Sequence, residues 1–330
     1  MYKVVFITIY YNRAAEVDVT LRSMLAAKNE DVHIIAVDDG STDDTYNNLL
    51  KYEPYGVEVI TSENRGFTKT LSSLLENIDS EYIAICGSGD VCHKDRISTQ
   101  IQFMDSHQDV VFCGTASRNI DAETYEVVDY QKYNDGYLSK KDFNESPPFT
   151  HGAAVIRASA YHQVGGYDTK FLFCQDWDLW LRLLDIGKGY FINQNLYDRR
   201  LLLDGASFNA KKTEKQLIYK YLALFFSKNK NIDRKIYMNS RDVDSIVIDL
   251  KLAQKIRKDM CARLIKLYLM KDVKGSQELM GIINEKYHGI YLPYLIIYTI
   301  IYIPVKYNLG LSYISKTLRS TLSFIRKFHK

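Results

Sequence analysis

The stretch Val37-Asp38-Asp39-Gly40-Ser41-Thr42-Asp43 decides how the first half of this 330-residue chain is read. It closes a β-branched run, residues 32–37, and sets two adjacent carboxylates at a strand end. Neighbouring strand residues point to opposite faces, and two carboxylates cannot both enter a core. One of them faces a crevice or the start of the next helix. Capping of a helix that begins near Thr42 accounts well for Ser41 and poorly for Asp38 and Asp39. The other reading is nucleoside recognition, in which a carboxylate accepts from a base N–H or a ribose hydroxyl.

Working outward, β-branched runs at 4–9, 32–37, 57–60, 82–86 and 110–113 alternate with helical patterns at 13–27, 42–51, 67–77 and 94–107. Strands alternating with helices imply βαβ units and a mostly parallel sheet covered on both faces. Ligands of such sheets sit beyond the carboxyl ends of the strands. The polar clusters fall there: Tyr10-Tyr11-Asn12, Asp38-Asp39-Gly40-Ser41 and Gly87-Ser88-Gly89-Asp90. Residues 114–150 are polar and tyrosine-rich and are expected to run irregularly over the active-site face, before a strand at 151–157 and a helix at 176–187.

Taken in order, Thr8 to Asn12, the 37–43 stretch, Asn64-Arg65-Gly66-Phe67, Asp90 with Arg96 and Gln100, and Val164-Gly165-Gly166-Tyr167-Asp168 before Gln175-Asp176-Trp177-Asp178 resemble a family 2 glycosyltransferase of the GT-A fold, inverting and of the bacterial polysaccharide type. The resemblance covers residues 2–207 and implies a Rossmann-like α/β domain over residues 1–210. It implies donor contacts from Thr8, Tyr10, Asp38, Asp39, Gly66, Lys69, Ser88, Asp90, Arg199 and Arg200. Asp39 meets the base or ribose, and Arg199 and Arg200 cover the diphosphate. Asp90 holds a divalent metal, Mn²⁺ or Mg²⁺, and Asp176 is the catalytic base. Trp177 lies near the acceptor. His151, at a strand start on the acceptor side, is either a structural hydrogen-bonder or an acceptor contact.

The implied reaction moves a sugar, with UDP-sugar as the favoured donor, to a hydroxyl of a glycan or lipid-linked glycan acceptor in cell-surface polysaccharide synthesis. One base removes the acceptor proton, and the metal takes up charge on the leaving diphosphate. A single base with no nucleophile predicts inversion at the anomeric carbon. Three positions depart from the family pattern. Its D-x-D-D cluster is Gly87-Ser88-Gly89-Asp90 here, Gln175 stands before the base in place of an acid, and Leu202 replaces a late histidine. The loss of two carboxylates motivates a second reading, a binding or scaffold protein on a degenerate GT-A frame without turnover. A dinucleotide-binding enzyme is disfavoured by the lack of G-x-G-x-x-G after the first strand.

Charge divides the chain. Residues 1–210 carry 19 basic and 31 acidic side chains, and residues 211–330 carry 24 and 9. The second part has helical spacing, few glycines and many lysines. Residues 292–305, LPYLIIYTIIYIPV, are too short an apolar run to span a bilayer. An apolar stripe from Leu311 to Ile325, flanked by Lys and Arg, matches an interfacial helix at an anionic membrane surface. A helical subdomain with a solvated basic face is the alternative. No nucleic-acid motif accompanies the charge. The five cysteines show no metal or redox spacing and are read as free thiols. The N-terminus runs straight into a strand pattern without a signal-peptide layout. The expected location is cytoplasmic, peripheral to the inner face of the inner membrane.

Overall fold

The computed structural model describes residues 2–131, 133–201, 210–240, 242–269 and 272–287. The backbone separates into two compact units, Met1–Leu202 and Leu203–Lys330.

In the first unit β1 (Val4–Tyr10) lies between β2 (Val32–Asp38) and β4 (Tyr82–Gly87), with β3 (Val57–Thr61) beyond β2, all parallel. Every residue of β1 is buried, as a strand covered on both faces requires. The helices α1 (Val17–Ala26), α2 (Thr45–Leu50), α3 (Phe67–Leu75) and α4 (Arg96–Ser106) make the crossovers. Leu21 and Met24 of α1, Leu49 of α2 and Leu71 and Leu75 of α3 are fully buried. The helix expected from residue 13 begins with a 3₁₀ turn, Ala14–Glu16. The one expected from residue 42 begins at Thr45, because the Asp43 carboxylate takes the Thr45 N–H (3.0 Å) and holds residues 43–45 in a turn.

Beyond β4 the sheet becomes mixed. It runs β3-β2-β1-β4-β9-β6-β10-β5, with β5 being Val91–Cys92, β6 Val110–Asp121, β9 Ala154–Arg157, which leads into the short helix α5 (Ala158–Gln163), and β10 Lys188–Leu201. β9 is antiparallel to both neighbours, whereas β10 runs parallel to β6. The excursion expected over residues 114–150 is largely sheet: β6 continues to Asp121, β7 (Val127–Gln131) returns along it, and β8 (Gly136–Leu138) pairs with β10. The middle of β6, residues 114–117, escapes an apolar reading because its buried residues are small or polar. Thr115 and Ser117 have no exposure, and a Cβ on Gly114 would strike the Phe149 ring.

Arg96 ties the inserted strand in place. Its guanidinium is fully buried between the Phe6 and Tyr197 rings and donates to the carbonyls of Ile85 on β4 (3.1 Å) and Ala154 on β9 (2.9 Å). Gln100 accepts from Arg96 Nε (3.0 Å) and donates to Cys113 and Ala153, adding β6 to the same network. Arg96 and Gln100, one helical turn apart, thus satisfy backbone acceptors where parallel and antiparallel strands meet.

The second unit is helical: α7 (Ala210–Lys228), α8 (Arg234–Ser240), α9 (Val243–Asp249), α10 (Ala253–Leu269) and α11 (Val273–Tyr287). Leu222, Ile246, Ile256, Met260, Leu264, Leu279 and Ile283 form its buried interior. No helix among the described residues is long and apolar enough to cross a membrane. Residues 292–305, and the basic amphipathic pattern after 311, lie outside the described residues.

Candidate active site

The carboxyl ends of β1, β2 and β4 open on one side of the first unit, where the two first loops are stitched together. Asn12, in the left-handed region at φ 50°, accepts the Thr42 N–H (2.8 Å), and its own N–H goes to the Ser41 hydroxyl (2.9 Å). Asp38 accepts from the Ser41 N–H (3.2 Å) and the Thr61 hydroxyl (3.0 Å) and closes its own turn. Asp39 reaches across to the next loop. It accepts from the backbone N–H of Arg65 (3.1 Å) and Gly66 (2.9 Å) and from the Thr70 hydroxyl, and so caps α3 from outside. Gly40 (φ +70°) and Gly66 (φ +81°) supply the left-handed backbone that lets these loops approach. Both carboxylates are 2 % exposed.

Thr8 and Tyr10, expected to border the nucleobase, are sealed in the core. The neighbouring Tyr11 is instead exposed at the mouth of β1. Lys69 is exposed on the first turn of α3, and Ser88 is half-buried in the turn after β4.

Asp90 follows that turn and is held by residues from two elements, β10 and α1. Tyr197 of β10 donates its hydroxyl to Oδ2 (2.6 Å), and the Arg200 N–H goes to Oδ1 (3.0 Å). Thr20 of α1 donates to the Asp90 carbonyl (2.9 Å) and accepts from the Gly89 N–H (2.9 Å). Burial pushes the Asp90 carboxyl up to about 6, against the pull of the Tyr197 hydrogen bond, the Arg200 N–H and the positive charges of Arg199 and Arg200. The Arg200 guanidinium is itself committed, to Glu16 and to the carbonyls of Gly89 (3.2 Å) and Ala122 (2.7 Å). Arg200 therefore acts on Asp90 through its backbone, and Arg199 is the half-exposed cation beside it.

Tyr197 is the hub of the site. Its hydroxyl also accepts the Gly87 N–H (2.9 Å) and packs against Gly152, where a Cβ would collide with it. A Cβ on Gly87 would collide with Asp90 Oδ2. No sequence signal marks it: a tyrosine in a polar run reaches Asp90 only because Tyr197 pairs with Cys92 of β5.

The other wall follows directly. His151 precedes Gly152, and its Nε2 is 2.7 Å from the Tyr167 hydroxyl. Burial lowers the pKa of His151 against an opposing pull from the Asp176 carboxylate, so the imidazole is neutral at pH 7. Asp176 lies in the first turn of α6 (Gln175–Leu183), which is entered through Cys174 in the left-handed region at φ 54°. Its carboxylate is half-buried and has no hydrogen-bond or ion-pair partner among the described residues. Asp178, by contrast, is buried against Arg182 (2.9 Å). Trp177 turns inward: its indole is buried and donates to the Phe143 carbonyl (2.9 Å). Asp90, Tyr197, Gly152, His151 and Asp176 thus form one connected wall, and no group of three or more metal-ligating side chains occurs among the described residues.

Residues 5–165 match the family described as glycosyl transferase family 2. The match lies within the first unit and takes in just under half of the chain. It is 26 % identical over 207 residues to an uncharacterized glycosyltransferase of Rickettsia prowazekii, covering 58 % of this chain and 61 % of the other. It is 27 % identical over 203 residues to the putative glycosyltransferase EpsE of Bacillus subtilis, covering 58 % and 70 %. With the amylovoran biosynthesis glycosyltransferase AmsE of Erwinia amylovora it shares 30 % over 135 residues, covering 40 % and 48 %. The chain therefore spans about three-fifths of the Rickettsia protein's length. In fold it is similar to the mannosyltransferase PcManGT from Pyrobaculum calidifontis, solved with GDP-Man and Mn²⁺ (TM-score 0.56, 13 % identity, 97 % of this chain and 84 % of that one). It is also similar to TarS 1-349 of S. aureus, solved with UDP-GlcNAc (TM-score 0.55, 12 % identity, 86 % and 92 %).

Proposed function

We propose that the chain transfers a sugar with inversion from a nucleoside-diphosphate sugar, UDP-linked in the first instance, to a hydroxyl of a glycan or lipid-linked glycan in cell-surface polysaccharide synthesis. The observation that carries this reading is the Asp176 carboxylate, without a hydrogen-bond or ion-pair partner among the described residues, at one end of a wall whose other end is Asp90. The acceptor hydroxyl gives its proton to Asp176. Its oxygen bonds to the anomeric carbon from the face opposite the diphosphate, and the bond from that carbon to the diphosphate oxygen breaks. A half-buried carboxylate with no hydrogen-bond partner among the described residues can take that proton and release it to water.

His151 is neutral and holds its place through Tyr167, so it orients the acceptor side without competing for the proton. The diphosphate meets Arg199 and Lys69. Tyr11, exposed at the mouth of β1, offers a ring for the nucleobase, while Asp39 shapes that pocket by fixing the start of α3. A carboxylate has about four lone-pair positions; Tyr197 and Arg200 take two on Asp90, which leaves it able to join phosphate oxygens as a hard ligand. Where Mn²⁺ or Mg²⁺ is bound, it supplies Lewis-acid stabilisation of the leaving diphosphate. The basic second part of the chain suits an anionic membrane surface that carries the acceptor.

Turnover of a panel of UDP-, GDP- and dTDP-sugars, with and without Mn²⁺, tests this reading. Transfer that Asp176→Asn leaves at full rate would remove Asp176 as the base, and donor binding with no turnover over any acceptor would favour the scaffold reading.

A further inference from the structure

A second cleft of about 410 Å³ opens beside this wall, between the end of β7 and the loop that leads into His151. Its size falls within the range of small-molecule sites, roughly 300–1,000 Å³. Register fixes where it lies. Gln131 at its edge pairs with Ser117, and Ser117 pairs with Tyr197. Two strand spacings, about 10 Å, therefore separate Gln131 from the residue that holds Asp90. The opposite side of the cleft is anchored to the base: Phe143, next to the lining residue Asp142, takes the Trp177 indole N–H, and Trp177 adjoins Asp176.

The lining combines one aromatic face with free polar groups. The Tyr133 ring is 37 % exposed, braced edge-on by Phe191 (5.8 Å), and its hydroxyl is fixed by Asp142. The side chains of Asn144, Glu145 and Ser146 are exposed and have no hydrogen-bond partner among the described residues. Gln131 is spent on structure, joining Ser117 to the Pro147 carbonyl. A pyranose has the matching chemistry, an apolar C–H face for a rigid ring and hydroxyls that both donate and accept. Asp142 and Glu145 against the single Lys141 leave the cleft net acidic, which disfavours a diphosphate.

We propose that this cleft is a distal acceptor subsite, which binds a neutral pyranose of the acceptor glycan one or two residues from the hydroxyl that reacts. The proposal rests on the reading of Asp176 as the acceptor-side base, and its test separates the two. Saturation-transfer NMR on the full chain, with the methyl glycosides of glucose, galactose and N-acetylglucosamine as probes, reads binding without turnover. At least one glycoside takes up saturation. That signal falls at least fivefold in Tyr133→Ala and in the exposed-loop variant Asn144→Ala, whose far-ultraviolet circular dichroism matches wild type, and it persists in Asp176→Asn. In the transfer assay Tyr133→Ala raises acceptor KM about tenfold and leaves donor hydrolysis unchanged. Saturation of no probe, or saturation that Tyr133→Ala leaves intact, overturns the subsite. Binding that depends on Tyr133 alongside transfer that ignores Asp176→Asn keeps the subsite and overturns the base.

Discussion

Replacing Asp90 with asparagine should stabilise the protein at neutral pH while it removes transfer. Burial raises the Asp90 carboxyl from an ordinary 3.8 to about 6 in the folded chain. Each tenfold change in proton affinity is about 1.4 kcal/mol, so the difference amounts to about 3 kcal/mol. Between those two values the folded state binds more protons than the unfolded one. Stability therefore falls as pH rises from about 4 to about 6 and is flat above. Asparagine has the same shape and carries no such dependence. It can still accept from the Tyr197 hydroxyl, but its amide then faces the Arg200 N–H that Asp90 Oδ1 accepts at 3.0 Å. That unpaired donor costs about 1 kcal/mol. The expected net gain is about 2 kcal/mol at pH 7.5, which is about 1 M in urea midpoint for a slope near 2 kcal/mol/M. Urea unfolding of both proteins in EDTA, from pH 4.5 to 7.5, measures it, and the difference between the two curves cancels every other titrating group. A difference that stays flat with pH, or a variant less stable at pH 7.5, would refute the claim that the fold keeps this carboxylate at a cost for function.

Asp176→Asn should lower transfer by roughly 10²–10⁴-fold with thermal stability unchanged within about 0.5 kcal/mol, because the carboxylate supports no hydrogen bond among the described residues; activity and calorimetry on one preparation check both. Gly152→Ala should drive the Tyr197 hydroxyl off Asp90, costing about 1–3 kcal/mol as overpacking does and weakening donor binding, read by calorimetry with UDP. Arg96→Ala should destabilise by about 3 kcal/mol or more, since it opens a cavity and leaves the Ile85 and Ala154 carbonyls without their side-chain donor; chemical denaturation shows it.

The parallel half of the sheet is legible because its strands are short runs rich in β-branched residues between helical periods, and β1, buried on all seven residues, has the plainest pattern of all. The mixed half is not. Past Cys113 the apolar run of β6 gives way to Gly114, Thr115, Ala116 and Ser117, all buried, and β10 passes two register shifts around the exposed Asn193, Gln194 and Asn195. A strand that bulges loses the two-residue alternation by which strands are recognised. The same limit explains the site. Asp39, Asp90 and Asp176 stand at ends of elements that order alone places correctly. The directions of Thr8, Tyr10 and Trp177 depend on which face the pleat or helix turns inward, and all three are buried.

The glycines at 87 and 89 take on a different meaning once Tyr197 is in view. Read alone, Gly87-Ser88-Gly89-Asp90 is an acidic cluster that has lost its carboxylates. In the folded chain an aspartate at 87 has no room, because even a Cβ there would meet Asp90 Oδ2 and lie 3.2 Å from the Tyr197 hydroxyl. Tyr197 occupies that space and donates to Asp90, and Gly152 gives way on its other side. A second carboxylate beside Asp90 would raise the cost of ionising both, whereas a phenol that donates lowers it for the one that remains. The three residues are therefore a coupled set: restoring aspartate at 87 without first shortening Tyr197 should lose donor binding rather than improve it.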